Sequence, residues 1–219
     1  MSNIGDAAKN NVTVPHVVKE EIIAAGKWAR LEKTTYVDPS GKTRTWETVK
    51  RTTRRSHTAT DGVQILAILS RAHHKDFVVL VKQFRPPMGC YTLEFPAGLI
   101  DGSESAETAA LRELKEETGY RGEVVRVSPV MCLDPGLSNC TTQFVMVSIN
   151  GDDPDNLRPT QELDDGEFID VILLPLDGFQ IKIDELLQKE DMVVDAKVYI
   201  YSVGLQAFTK PSEIPAVRQ

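Results

Sequence analysis

Runs of β-branched and aromatic residues, separated by turn formers, predict a strand-rich first half of the chain. Trp28–Val37 and Thr43–Thr53 are such runs, and Asp38-Pro39-Ser40-Gly41 between them is typical of a type I turn. We therefore expect a β-hairpin here, preceded by a frayed tail that extends to about Val17. Further strands are predicted at Val63–Ser70, Phe77–Arg85 and Tyr91–Phe95, the first two forming a second hairpin.

The second half of the chain alternates helices and strands. Ala106–Thr118 consists mostly of good helix formers, Ser105 suits the N-cap, and Gly119 suits the left-handed position that ends a helix. Strands are predicted at Glu123–Met131, Thr141–Ile149 and Gly166–Leu174, with an irregular acidic loop over Gly151–Asp165. Helical periodicity over Asp177–Glu190 and Met192–Phe208 predicts core positions at Ile181, Leu186, Leu187, Val194, Val198, Tyr201 and Leu205.

The composition leaves the predicted elements unchanged but restricts the classes of partner that the chain is expected to bind. The 219 residues are 41% apolar and 26% charged, enough for a substantial core, and the net charge of −7 argues against nucleic-acid or membrane surfaces as partners. No stretch is apolar enough to span a bilayer, and the first residues do not resemble a signal peptide. Because Cys90, Cys132 and Cys140 have no metal-ligand spacing, we expect reduced thiols in the cytoplasm or the nucleus.

The predicted helix carries an unusual cluster of negative charge. Glu113, Glu116 and Glu117 have i, i+3 and i+4 spacing and share one helix face, where like charges destabilise a helix unless a cation compensates. Carboxylates are the ligands that Mg²⁺ and Mn²⁺ prefer. The preceding Phe95–Gly102 stretch predicts a tight loop that enters the helix N-terminus, a place that attracts anions. Metal and phosphate are expected to meet there.

These residues resemble a known signature. Gly98, then Glu104, then the run from Arg112 to Tyr120 (RELKEETGY) is similar to the Nudix box of the Nudix hydrolases. The resemblance implies an α/β/α sandwich with a mixed sheet, and an N-terminal β-hairpin or small sheet used for dimerisation. It also implies hydrolysis of a nucleoside diphosphate linked to another group.

The same resemblance assigns roles around the box. Metal binding would fall to the Ala97 carbonyl, Glu113, Glu117 and Glu167, and catalysis to Glu113, Glu116, Glu117 and Glu167, with Glu167 as general base. Arg112 is expected to lie away from the Glu113 and Glu117 side and to hold Glu116 or the loop in place.

Positions outside the box resemble the ADP-sugar pyrophosphatase branch of the family. Pro135 and the segments around Trp28, Trp46, Arg85 and Asp134 carry this similarity. It implies a homodimer that exchanges its N-terminal hairpins and clamps adenine between two tryptophans, one from each subunit. The substrate-binding residues it implies are Trp28, Trp46, Glu47, Arg51, Arg85, Leu99 and Asp134. The expected reaction converts ADP-ribose to AMP and ribose 5-phosphate with Mg²⁺.

The sequence is compatible with more than one role for several residues. From the residues alone, core or dimer contact is the favoured role of Trp28 and Trp46, and the resemblance shifts it to base stacking. Arg85 is a surface charge or a phosphate ligand, and Glu94 is a solvated residue or a supporting acid. Other substrates, such as oxidised deoxyguanosine diphosphate, and a non-hydrolysing ADP-ribose-binding module are the alternatives. We expect the chain to consist of a tail (1–17), an N-terminal β element (18–57), a hydrolase domain (58–209) and a second tail (210–219).

Overall fold

A computed structural model describes residues 13–54 and 60–209 of the chain. The described residues belong to two compact units: those within Met1–Thr58 and Cys132–Thr141, and those within Ala59–Met131 and Thr142–Gln219. Most of the expected first tail, residues 1–12, and the second tail, residues 210–219, lie outside the described residues. Among the residues that are described, no helix is long and apolar enough to cross a lipid bilayer.

The first unit is built on a three-stranded antiparallel sheet. Its strands are β1 (His16–Ala25), β2 (Ala29–Val37) and β3 (Thr43–Arg51), with β2 in the middle. The turn predicted at Asp38–Gly41 joins β2 to β3, and Gly41 adopts a φ of 81° there. The prediction of a frayed segment up to Val17 was wrong at its end, because β1 begins at His16. All ten residues of β1 are exposed, and its large apolar residues come in adjacent pairs, Val17-Val18 and Ile22-Ile23, so no alternating strand pattern marks it in the sequence.

A nine-stranded mixed sheet forms the centre of the second unit. Its main path runs in the order β12, β6, β5, β4, β10, β8, with β7, β9 and β11 paired to β4, β10 and β5. The strands are β4 (Gly62–Ser70), β5 (Phe77–Arg85), β6 (Cys90–Glu94), β7 (Ala97–Leu99), β8 (Glu123–Val127), β9 (Met131–Cys132), β10 (Thr141–Asn150), β11 (Ile169–Pro175) and β12 (Met192–Val194). Parallel pairing joins β4 to β10 and β6 to β12.

Three helices cover the two faces of this sheet. They are α1 (Ala106–Thr118), α2 (Phe179–Lys189) and α3 (Ala196–Thr209). On β4, Val63, Ile65, Ala67 and Leu69 belong to the core beneath α1, whereas Leu66 belongs to the core beneath α2 and α3. This alternation follows from the two-residue period of a strand, and it produces the α/β/α sandwich that the sequence predicts.

Most predicted elements are present, and the differences have physical reasons. The predicted strand Gly166–Leu174 begins only at Ile169, because Asp165 and Gly166 form a turn and the two residues that follow them are irregular. The prediction of helix from Met192 was wrong for its first three residues, which pair with β6 as β12. The assignment of Ile181 to the core was also wrong, since its side chain is exposed. Val198 is fully buried, and the remaining predicted core residues of α2, β12 and α3 pack against its cluster.

Candidate active site

The box helix α1 is held at both ends by the residues that the sequence indicates. The Ser105 side chain accepts a hydrogen bond from the Thr108 backbone N–H at 3.2 Å, and Gly119 takes the left-handed conformation with a φ of 76°. The Gly119 N–H donates to the Lys115 carbonyl at 2.9 Å. Because both caps are local, they fix where the helix starts and stops, and therefore where its glutamates lie.

Glu113 and Glu117 project from α1 onto β7, the short strand that replaces part of the tight loop expected from the sequence. Oε2 of Glu117 accepts a hydrogen bond from the Ala97 N–H at 3.0 Å, and the Glu117 residue is only 5% exposed. The Glu113 carboxylate lies against Gly98 so closely that a Cβ at this glycine would be 1.8 Å from Oε1 of Glu113. The absence of a side chain at Gly98 is therefore what allows Glu113 to occupy this position.

The electrostatics of this pair favour a bound cation. The pKa of Glu117 is raised to about 8, chiefly by burial and also by the charges of Glu113 and Glu167, against the lowering effect of the Ala97 N–H. Burial likewise raises the pKa of Glu113, to which Glu116 and Glu167 also contribute. A divalent ion would offset this crowded negative charge, and carboxylate oxygens are the donors that suit one.

Arg112 connects the box residues to one another. Its Nη1 donates to Oε1 of Glu113 and Oε2 of Glu116, both at 2.9 Å. Its Nη2 donates to Oε1 of Glu104 at 2.7 Å and to the Leu99 carbonyl at 3.0 Å. The expectation that Arg112 holds Glu116 and the loop agrees with these contacts. The expectation that it lies away from Glu113 was wrong, because its planar fork spans several acceptors at once.

Glu167 occupies a turn before β11. Gly166 has a φ of 88°, the Glu167 N–H donates to the Asp164 carbonyl, and Oε2 of Glu167 accepts from the Asp164 N–H, both at 3.1 Å. Its charge contributes to the raised pKa values of Glu113 and Glu117. Within residues 13–54 and 60–209, however, no three His, Cys, Asp or Glu side chains converge as a preformed metal site.

Arg85 and Glu94 form a two-pronged ion pair. Nε and Nη2 of Arg85 donate to the two carboxylate oxygens of Glu94 at 2.7 and 2.8 Å, and the Thr92 hydroxyl also donates to Glu94. Glu94 is thus not a simple solvated residue: it orients the Arg85 guanidinium. The pair lines a cavity of about 400 Å³ together with residues of β12 and the start of α3.

The residues expected to bind the adenosine belong to the first unit. Trp28 and Trp46 are 64% and 52% exposed, and Glu47, Arg51 and Asp134 are exposed as well. The loop that carries Asp134 docks on the same sheet, since Nε1 of Trp46 donates to the Gly136 carbonyl at 2.9 Å and the Val49 N–H donates to the Leu137 carbonyl at 2.8 Å. Leu99, the remaining expected contact, is partly exposed on β7 in the second unit.

The structure separates the two tryptophans within one chain. Trp46 pairs with Thr34 on β2, whereas the Trp28 carbonyl accepts a hydrogen bond from the Thr52 N–H just beyond the far end of β3. The six residues of extended chain from Trp46 to Thr52 correspond to about 20 Å. This backbone separation argues against stacking of both rings of a single chain on one flat base.

Sequence reasoning missed a set of contacts at the C-terminal end of α1. The Gln161 side-chain amide donates to the Glu117 carbonyl at 2.6 Å and to the Ile169 carbonyl at 2.9 Å. The Glu162 N–H donates to the Glu116 carbonyl at 2.8 Å. No local signal marks Gln161, because its acidic, Pro-containing surroundings read as an irregular loop and its partners are distant in sequence.

Comparison with known proteins agrees with this geometry. The NUDIX domain family matches residues 60–196. An ADP-sugar pyrophosphatase of Mus musculus is 56% identical over 203 residues, which cover 92% of this chain and 93% of the mouse protein. An ADP-ribose pyrophosphatase of Saccharomyces cerevisiae is 43% identical over 182 residues, covering 82% and 77% of the two chains. A crystal structure of an ADP compounds hydrolase shares the fold, with a TM-score of 0.62 at 20% identity over 89% of this chain and 92% of that one. The chain therefore belongs to the family of Nudix hydrolases.

Proposed function

We propose that this chain hydrolyses the diphosphate bond of ADP-sugars, chiefly that of ADP-ribose, to give AMP and ribose 5-phosphate. The observation that carries the proposal is the pair formed by the buried Glu117 and the half-buried Glu113, held against Ala97 and Gly98 of β7. The names of the mouse and yeast relatives, an ADP-sugar and an ADP-ribose pyrophosphatase, point to the substrate. Together these observations support an intact hydrolytic site directed at an adenosine diphosphate group.

The residues present fit a divalent metal cofactor, for which we propose Mg²⁺ with Mn²⁺ as a substitute. The Ala97 carbonyl, Glu113, Glu117 and Glu167 would supply hard oxygen ligands. When bound, the ion offsets the charge of the diphosphate and lowers the pKa of a water molecule. A metal site also needs its carboxylates held in place with oxygens left free. Arg112 keeps Glu113 and Glu116 oriented without occupying every carboxylate oxygen.

Each remaining residue of the site has a role that follows from its position. Glu167 is exposed in a turn beside the negatively charged pair, where it accepts a proton from the attacking water. Arg85, oriented by Glu94, directs its guanidinium at the diphosphate. Glu116, tied to Arg112, completes the catalytic carboxylate set. Leu99 lines the site beside the loop.

For the adenosine, we propose a homodimer in which the two subunits exchange their N-terminal sheets. Trp28 of one chain and Trp46 of the other would stack on the adenine, with Glu47, Arg51 and Asp134 contacting the nucleoside. The separation of the two tryptophans within one chain supports this arrangement. So does β1, whose exposed Val17, Val18, Ile22 and Ile23 offer an apolar surface to a second copy.

The cellular setting is part of the same proposal. The three cysteines are free thiols, which suits the reducing cytoplasm or nucleus. The net charge of −7 gives no basis for direct nucleic-acid binding.

The test is product analysis by chromatography. Incubation with ADP-ribose and Mg²⁺ is expected to yield AMP, and Glu117→Gln is expected to lower kcat by at least about a hundredfold because it removes a buried carboxylate that holds the cation. Oxidised deoxyguanosine diphosphate and other ADP-sugars, assayed in parallel, rank the substrates. Binding of ADP-ribose without AMP formation at any enzyme concentration would contradict hydrolysis and identify a binding module.

A further inference from the structure

A single side chain ties together the two ends of the loop that carries Glu167. We call these ends, Gln161 and Ile169, the neck of the loop. The Gln161 amide nitrogen spans 2.6 Å to the Glu117 carbonyl and 2.9 Å to the Ile169 carbonyl. Residues 162–168 lie between Gln161 and Ile169, and Glu167 is two residues before Ile169. Both hydrogens of the amide are therefore used to fix the ends of this loop relative to each other.

One end of the neck is anchored on the box helix. The last carbonyls of a helix lack partners within it, and here Lys115, Glu116 and Glu117 have theirs satisfied by Gly119, Glu162 and Gln161. Gly119 also permits the close approach, because a Cβ there would lie 2.5 Å from the Thr160 nitrogen. Nζ of Lys115 donates to the Thr160 carbonyl at 2.9 Å. The chain before the loop thus ends on the same helical turn that carries Glu117.

The other end is anchored on the sheet. Ile169 is buried and begins β11, where it pairs with Gln83 of β5. Between the anchors, the contacts that hold Glu167 are local ones to Asp164, and the residues from Asp164 to Phe168 are exposed. The position of Glu167 relative to Glu113 and Glu117 is therefore set mainly at the neck.

We propose that Gln161 is a positioning residue for Glu167, holding the Glu167 loop against the turn of α1 that carries Glu117. The inference rests on the catalytic role given to Glu167 under the proposed function. Loss of both donors would remove the two hydrogen bonds that hold the neck, while Glu113 and Glu117 keep their contacts with Gly98 and Ala97 of β7. The loss would fall on turnover more than on substrate binding, because the adenosine contacts lie elsewhere.

The experiment uses Gln161→Leu in the full chain, since leucine has similar bulk and no donor. The matched control is Glu162→Gln, which removes only the exposed ion pair between Glu162 and Lys115 and keeps the backbone bond to α1. We expect kcat with ADP-ribose to fall at least about tenfold in Gln161→Leu with KM within about twofold, and to be unchanged in the control. Amide hydrogen exchange of the peptide covering 163–168 should quicken only in Gln161→Leu.

A double variant separates positioning from general destabilisation. If Gln161 acts through Glu167, the loss of kcat caused by Glu167→Gln should shrink at least about threefold in the Gln161→Leu background. Additive losses, or quickened exchange with unchanged kcat, overturn the positioning role alone. Unchanged kcat in the single variant Glu167→Gln overturns the catalytic role of Glu167 and the positioning role with it. Gln161→Ala serves as the second variant if the leucine variant does not fold.

Discussion

Gly98 shows how one residue without a side chain determines where a carboxylate of the proposed active site lies. The Glu113 carboxyl group fills the space in which a Cβ at position 98 would stand, with Cδ of Glu113 only 1.9 Å from that point. Arg112 holds the same carboxylate from the other side at 2.9 Å. The missing side chain at Gly98 and the Arg112 guanidinium together fix the position of the Glu113 carboxylate.

Gly98→Ala is expected to keep the fold and lose activity. The added methyl group must displace the end of the Glu113 side chain, which is flexible enough to move without unfolding the protein but leaves its position in the site. We expect kcat with ADP-ribose to fall by about tenfold to a hundredfold. The matched control is Gly204→Ala in α3, where a Cβ meets open space. Steady-state kinetics and circular dichroism make the comparison, and a kcat within twofold of the parent in Gly98→Ala would show that Glu113 does not act from this position.

For individual residues, the sequence predicts those roles that depend on partners nearby in the chain. Ser105 and Gly119 could be assigned as caps because their partners lie within a few residues. The spacing of four residues likewise placed Glu113 and Glu117 on one face of the predicted helix. The two carbonyls that Gln161 contacts and the carboxylate that Arg85 contacts could not be predicted, because they depend on which segments fold next to one another.

The central strand of the N-terminal sheet contains a buried charge network. Glu32 on β2 is 3% exposed and lies 2.6 Å from Nε of Arg30 and 2.7 Å from Nζ of Lys50 on β3. Lys50 in turn reaches Glu20 on β1 at 2.6 Å. The network therefore crosses all three strands, and hydrogen bonding from Lys50 is the largest effect lowering the pKa of Glu32.

Glu32→Gln is expected to destabilise this sheet in a pH-dependent way. Removing one partner of a buried pair costs about 3 kcal/mol at neutral pH. Since the pKa of Glu32 is lower in the folded than in the unfolded state, its contribution is complete above the unfolded pKa of about 4.5 and disappears as the pH falls through the folded pKa. The difference between the variant and the parent should therefore shrink in acid.

Urea unfolding followed by tryptophan fluorescence measures this effect on the right part of the chain, because both tryptophans belong to the N-terminal unit. The control is Glu20→Gln, whose side chain is more exposed and whose loss should cost less than about 1 kcal/mol. A deficit of Glu32→Gln that is as large at pH 3 as at pH 7 would assign it to packing rather than to charge.

Strands could not be predicted where the order of apolar and polar residues shows no strand periodicity. The strand β1 could not be recognised, because none of its ten residues faces a core and no alternation marks it. The short run Met192–Val194 reads equally well as the start of a helix, and only its parallel pairing with β6 makes it a strand. The capped helix α1 and the buried strands β4 and β5 were predictable for the opposite reason, since their own residues carry the pattern.

The whole molecule divides the expected chemistry between its two units. Glu113, Glu117 and Glu167 belong to one unit, whereas Trp28, Trp46 and the Asp134 loop belong to the other. Within a single chain, about 20 Å of extended backbone separates the two tryptophans, which argues against a clamp formed by both rings of one chain. The proposed exchange of sheets between subunits removes this difficulty and leads to a complementation test.

Subunits that carry Trp28→Ala and Trp46→Ala are expected to complement each other. Each variant alone loses one ring from every clamp, and a stacking contact worth about 1–3 kcal/mol predicts a KM for ADP-ribose raised about 5-fold to 150-fold. In a mixed dimer, one clamp lacks both rings, whereas the other combines the intact Trp28 and the intact Trp46. After random exchange of subunits, about a quarter of all sites should regain the native KM.

The control mixture combines Trp28→Ala with the double variant Trp28→Ala/Trp46→Ala, in which no dimer contains an intact Trp28 and no recovery is expected. Native mass spectrometry confirms that subunits have exchanged before the kinetics are compared. A clamp formed within one chain would recover in neither mixture, because each chain carries at least one alanine. Recovery in the first mixture alone is therefore the result that requires a base-binding site shared between two chains.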